Sequence, residues 1–359
     1  MSEQTNNSNY PELIETIFEF DVSPGQLPDR LDVFLTNSIK NATRTKVQKA
    51  IDGACVTING KVAKASKKIQ PNDKIICKIM KSPPIKLIPE NIPLNVLYED
   101  DDVLIINKNA GIVTHPGYGN RSGTIVNAVL YHLGRRDTIT IEFDEDSEVE
   151  GDFDEGKVYA SDEIRPGIVH RLDKETSGIL VIAKDSNLHP ILAEQFADRT
   201  IERFYYAIVW GDIKNDSGTV TGDIGRNPRN RKLFSVVKKG GKKAKTEYWV
   251  LERFGYATLV KIKLHTGRTH QIRVHFSYNK HPLVGDSDYG GDNIVYGGSN
   301  PTIKKAAVQC LKTAKRQMLH AKVLGFDHPV SCERMIFESD LPEDFQKVLE
   351  VLRKSNDSY

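Results

Sequence analysis

Three polar stretches carry the residues best suited to chemistry. The first, residues 165–184, reads RPGIVHRLDKETSGILVIAK. Its loop from His170 to Gly178 feeds an apolar run of strand length, so polar groups there can be anchored by a buried element. Within it Asp173 lies between Arg171 and Lys174, whose charges favour the ionised carboxylate. Such a group can attack as a nucleophile or stabilise a cationic sugar centre. An ordinary loop ion pair is the bland alternative, and composition alone favours it. The second stretch, 264–290, gathers His265, Arg268, His270, Arg273 and His275, a set suited to phosphate or to a carboxylate from another loop. The histidines recur every five residues with no acid between Leu264 and His281, unlike the H-E-x-x-H helix, so no metal is expected. The third, ERFYYAIVWG at 202–211, places Tyr205 and Tyr206 on a strand. Side chains alternate there, so only one of them can face a given cleft, where it could stack on a base. A core aromatic is the competing reading.

These stretches need a scaffold, and the chain of 359 residues has the length for two or three domains. Hydrophobic residues make up 39 % and charged residues 27 %, ordinary values for packed cores. Runs at 103–106, 179–183, 205–209 and 259–264 have strand length, and Leu188, Ile191, Leu192 and Phe196 recur at helical spacing between two of them. Val348 and Leu352 suggest a closing helix. Strands outnumber helices, which points to an α+β fold with a mainly antiparallel sheet. Ahead of this domain, 27–80 reads as two short helices, the second capped by Thr43 and followed by Gly53, and a hairpin turning at Asn59-Gly60. Between positions 27 and 79 there are eleven Lys or Arg against four acids, so a small nucleic-acid-binding module is expected.

Charge is segregated even though the formal net charge is only +2. Residues 142–163 hold eleven acids and one lysine, a block expected to be a surface insertion. Residues 226–245 hold nine Lys or Arg, no acid and Gly240-Gly241, and are expected to be a flexible basic loop touching RNA. Residues 1–26 read as a tail, and 81–93, with four prolines, as an extended linker before a domain at 94–355. No apolar run is long enough to span a bilayer and none leads the chain, so a cytoplasmic location without membrane contact is expected. Cys55, Cys77, Cys310 and Cys332 form no C-x-x-C pair, which speaks against a zinc knuckle or a redox dithiol.

Taken together the segments resemble the RluA family of pseudouridine synthases, in the branch with an N-terminal S4 RNA-binding domain. HRLDKETSG is similar to the catalytic motif, RFYYAIVWG to the tyrosine motif, and HTGRTHQIRVH with HPLVGDSDYG to the third motif; 27–80 is similar to S4. The resemblance implies Asp173 as catalytic carboxylate, Tyr205 stacked on the target base and taking its C5 proton, and Arg273 paired with Asp173. It also implies Ile272 as an apolar wall and Arg171 filling the place of the flipped base. His170 and Arg268, with Arg44 and Lys46 on the second S4-like helix, are the further candidate RNA contacts. The implied substrate is structured RNA, 23S ribosomal RNA or a large-subunit precursor foremost, with transfer RNA as an alternative. The implied reaction needs no cofactor or metal, and nothing demands more than a monomer. A glycosidase-like enzyme that releases the base and a non-catalytic ribosome-assembly factor are the competing readings.

Overall fold

The computed structural model describes residues 14–39, 42, 44–81, 85–117, 120–141, 167–297 and 300–356. The acidic block 142–163, Pro166 and the proposed cap Thr43 lie outside them. The chain divides into two compact units, the first comprising Met1–Ile85 with Thr140–Glu150 and the second Lys86–Ile139 with Gly151–Tyr359.

In the first unit α1 (Leu31–Ser38) and α2 (Arg44–Asp52) accompany strands β1 (Ile14–Asp21), β2 (Val56–Ile58), β3 (Lys61–Val62) and β4 (Lys74–Lys81), in sheet order β1-β4-β2-β3. Leu31, Leu35, Val47 and Ile51 bury their helical faces against Val56, Ile75 and Cys77. The hairpin turns where Asn59 and Gly60 take φ of 50° and 78°, which a β-branched residue would resist. The Asn59 side chain fastens it, donating to Asp73 at 2.8 Å and accepting from the Lys74 amide at 2.9 Å. One expectation is corrected here: residues 14–21 are not tail but β1, paired with β4 along its whole length. Its alternation puts Thr16, Phe18 and Phe20 inward, and the two phenylalanines pack on the core.

A second correction concerns the linker. Residues 85–87 form β5 (Ile85–Leu87), and the following turn is pinned to the next helix. The Asn127 amide group donates to the Ile88 carbonyl at 2.8 Å, and the Glu90 amide donates to the Asn127 carbonyl at 3.0 Å. Proline favours extended backbone, and extended backbone can be fastened as well as free.

The second unit is built on one large sheet. Its strands are β6 (Val96–Glu99), β7 (Val103–Lys108), β9 (Gly167–Ile168), β10 (Ser177–Ala183), β11 (Glu202–Trp210), β12 (Ser217–Arg226), β13 (Phe234–Val236), β14 (Lys242–Arg253), β15 (Ala257–Leu264), β16 (Leu319–Asp327) and β17 (Arg334–Glu338). A short strand, β8 (Ile139–Ile141), lies outside it. The order is β13-β12-β14-β15-β11-β16-β10-β7-β6, with β17 on β16 and β9 on β10. Neighbours run antiparallel except β10 and β16, so the mixed, mainly antiparallel α+β class is what is found. Helices α3 (Ile125–His132), α4 (Leu188–Ala197), α5 (Gln271–Tyr278), α6 (Pro301–Thr313) and α7 (Glu343–Asn356) complete the unit. Strand β10 is buried at every position, as its unbroken apolar run requires. Leu192 and Phe196 of α4 pack on Val103, Ile105 and Val181, while α6 and α7 pack on Ile208, Trp210 and Leu259.

The basic segment 226–245 is not a single loop. β13 pairs with the end of β12, and β14, which begins at Lys242, pairs with β12 on its other side, so the segment is built into the edge of the sheet. Its alternating apolar positions, Phe234 and Val236, supply the packing that a lysine count hides. Among the described residues no helix is long and apolar enough to cross a membrane.

Candidate active site

Strands β15, β11, β16 and β10 are consecutive in the sheet, and this order brings the chemically promising stretches together. One pocket is lined by Arg171, Asp173, Tyr205, Arg268, His270, Ile272 and Arg273, with His170 beside them. Arg44 instead lies exposed on the first unit, in a surface groove with Arg30, Gln48 and Lys49. Lys46 lies on α2, and its side chain is outside the described ones.

Asp173 sits on the loop between β9 and β10, whose backbone is held by its neighbours. The Thr114 hydroxyl donates to the Leu172 carbonyl at 2.9 Å, and the Lys174 carbonyl accepts from the Gly111 amide at 2.9 Å and from Lys108 Nζ at 3.0 Å. Lys108 is 1 % exposed. Burial pushes its ammonium down to about 7, against the pull of Asp173 and Glu175. Where the loop enters β10, Gly178 has φ 123° and passes so close to β16 that a Cβ would lie 2.3 Å from the Ala321 carbonyl oxygen. Only glycine fits there.

The Asp173 carboxylate lies 3.4 Å from Arg273 Nη1 and 4.0 Å from His270 Nε2. Burial alone would raise its pKa; His270, Arg273 and Arg171 outweigh that and hold it below the usual carboxylate range. Burial also depresses His270, against the pull of Asp173, Asp288 and Asp286. Arg273, however, is bound most tightly elsewhere. Its Nε and Nη2 make paired bonds of 2.7 Å to Asp286, which is fully buried, and Nη2 also meets Asp288 at 2.7 Å. Asp286 and Asp288 orient the arginine whose free edge faces Asp173, a role the sequence reading did not assign. The only signal was their presence in the GDSDYG run.

His270 caps α5 in the left-handed region, φ 55°. Its Nδ1 lies 2.8 Å from Tyr289 Oη, which itself accepts the Phe234 amide hydrogen at 3.2 Å. The bond to Tyr289 holds the ring so that Nε2 faces Asp173. Gln271 locks the preceding turn through Thr266, the Arg268 amide, Lys245 and Thr246. Tyr205, 7 % exposed, faces the pocket, while Tyr206 packs on the opposite core, as strand alternation requires. Ile272, Leu172, Val169 and Leu319 give the pocket its apolar walls. His170 is committed structurally: Nε2 accepts from the Val181 amide at 3.1 Å, and the ring stacks on Phe196 at 4.6 Å. Burial lowers its pKa to about 3, so it offers a ligand only Nδ1–H. His115 and Arg203 also line the pocket and were not singled out. Glu175, the second carboxylate that a glycosidase would need, is not among the lining residues.

Asp100, Asp102 and His328 form the one grouping of metal-ligand types among the described residues. His328 Nδ1 accepts the amide hydrogens of Val330 and Ser331, so Nε2 carries the ring proton, with Asp100 3.2 Å away. A metal would have to displace that proton, and the residues do not fit one.

Comparison with known proteins agrees with this geometry. The family described as RNA pseudouridylate synthase matches residues 102–278, and the S4 domain matches 29–75. An "Uncharacterized RNA pseudouridine synthase" of Chlorobaculum parvum is 43 % identical over 339 residues, covering 93 % of this chain and 97 % of that one. The "Ribosomal large subunit pseudouridine synthase D" of Pseudomonas aeruginosa is 36 % identical, covering 92 % and 94 %. The solved structure titled "Human RNA Pseudouridylate Synthase Domain Containing 4" shares the fold, with a TM-score of 0.52 at 24 % identity over 72 % of this chain and 93 % of that one. With the S4 domain ahead of a sheet that brings the motif segments into one pocket, the chain belongs to the RNA pseudouridine synthase family, in its S4-containing branch.

Proposed function

We propose that the protein isomerises specific uridines in 23S ribosomal RNA or its large-subunit precursor, with Asp173 as the catalytic carboxylate. The observation that carries this reading is Asp173 ionised at the wall of a largely apolar pocket, facing an arginine that two other carboxylates orient. The ribosomal assignment is supported by relatives named for the large subunit.

The reaction breaks C1′–N1, turns the detached uracil, joins C1′ to C5, and replaces the proton lost from C5 by one gained at N1. Asp173 serves it by attacking C1′ or by removing the C2′ proton to give a glycal; a slowed reaction on C2′-deuterated uridine marks the second route. The target uridine must leave its stack, a cost of a few kcal/mol recovered in the pocket. Tyr205 stacks on the base and takes the C5 proton, Ile272 closes the opposite wall, and Arg171 fills the vacated place in the helix. Arg273 keeps Asp173 charged and aimed. The apolar walls retain the free uracil between the two bond changes. Arg268 and the 226–245 segment contact phosphates near the site. The S4-like region, 27–80, with Arg44 and Lys46 on α2, holds structured RNA.

The test is a pseudouridine map of ribosomal and transfer RNA from cells lacking the protein, complemented with wild type or Asp173→Asn. Signals in 23S RNA that wild type restores and the variant does not are expected. Loss confined to transfer RNA would move the substrate, and an unchanged map would leave a binding factor.

A further inference from the structure

The roles above leave one strongly built feature unused. Arg316, between α6 and β16, is 6 % exposed. Its Nε and Nη2 make paired bonds to Asp344 of α7 at 2.7 and 3.0 Å. Nη1 donates to the carbonyls of Glu175, Gln317 and Leu319 at 3.0, 3.1 and 3.2 Å, and Nη2 reaches Ser177 Oγ at 3.3 Å. The neighbouring Gln317 side chain donates to Thr176 Oγ1 at 3.3 Å. The turn that follows Asp173 is thus bonded at Glu175, Thr176 and Ser177 from one short segment.

The same segment grips the other half of the site. The Met318 amide donates to the Val284 carbonyl at 2.9 Å, and Gly285 runs so close that a Cβ would lie 2.2 Å from the Arg316 carbonyl oxygen. Asp286, which orients Arg273, is the next residue.

We propose that Arg316, aimed by Asp344, is a positioning residue for the isomerisation: it fixes the Asp173 loop against the Asp286 turn and so sets the spacing between Asp173 and Arg273. This rests on the reading of Asp173 as the catalytic carboxylate. Three carbonyls converge on Nη1, and a planar guanidinium meets them and a carboxylate together. A lysine, with one nitrogen, cannot.

The experiment follows Arg316→Lys, Asp344→Asn and Asp173→Asn. The substrate is total RNA from cells lacking the protein, and single-turnover rate, RNA affinity, circular dichroism and the pH profile of the rate are measured. For Arg316→Lys the rate on folded enzyme should fall about 10- to 100-fold, because small misplacement of a reacting group is expensive. RNA affinity should stay near wild type. The acid limb of the profile should move to higher pH as Arg273 drifts from Asp173. Asp344→Asn should move both readouts the same way by less, and it carries the test if Arg316→Lys does not fold. A rate loss that only tracks loss of folded protein, with an unmoved acid limb, would overturn the proposal. Activity in Asp173→Asn would sink the carboxylate reading itself; an inactive Asp173→Asn beside a wild-type-like Arg316→Lys would sink this inference alone.

Discussion

Asp286 touches no pocket wall, yet it controls the arginine that does. Removing it as Asp286→Ala takes from a buried guanidinium its paired bonds and leaves it Asp288 and Asp173, for which the expected loss is about 1–3 kcal/mol of stability. Urea unfolding should show this, together with a fall in single-turnover rate at little change in RNA affinity; full activity with unchanged stability would refute it. Tyr205 divides differently. Tyr205→Phe keeps the ring, so RNA affinity should hold while product formation slows; Tyr205→Ala should also weaken binding, by about 1–3 kcal/mol for a lost stacking partner. Equal affinity in both variants would remove the stacking role. That Asp173, Tyr205 and Arg273 would meet in one pocket was legible because each stands in a long, distinctive run. The Arg273–Asp286 bond was not, nor was the Arg316 cluster. Their partners meet through the order of strands in the sheet, which local spacing does not encode.

At the scale of elements, the strands with pure apolar or alternating runs were readable, and so were α1, α2, α4 and the hairpin at Asn59-Gly60. β1 was missed because its alternation is interrupted by the exposed Ile17, and α5 because Gln271–Tyr278 is buried along most of its length and lacks a polar face. The segment 226–245 was misread because charge outweighed Phe234 and Val236. Burial also sets how these elements respond to acid. Desolvation holds His170 and His320 neutral down to about 3 and His275 down to about 4. Their folded values lie below the unfolded value of about 6.5, so the stability they contribute is complete above that pH and lost as pH falls through the folded values. The urea midpoint should decline below about pH 6.5, as the unfolded histidines take protons that the buried ones refuse. His320→Gln should flatten that decline, and an unaltered slope would mean His320 is protonated in the native state.

Across the whole molecule, the net charge of +2 conceals a basic N-terminal unit with its own core. Deleting residues 1–80 should weaken RNA binding and make log affinity less steep in log salt, since phosphate contacts leave with it. Filter binding over a salt series measures this, and an unchanged slope would show that the unit does not touch RNA. The change in composition near the prolines lies close to where the first unit gives way to the second at Lys86. What composition could not show is that part of the supposed connector is built into the second unit, through bonds to Asn127.

The place of β16 has a consequence for synthesis. It lies between β10 and β11, both of which leave the ribosome long before it does. Until β16 arrives, the hydrogen-bonding edges of two of the most apolar strands stand open to water and to each other. A nascent chain can therefore hold Asp173, Tyr205 and Arg273 and still have a gap through the middle of its sheet. Such an intermediate is exposed to mispairing, and holding it open is work for a chaperone. Translation interrupted before β16 yields a chain with every proposed catalytic side chain and no assembled site.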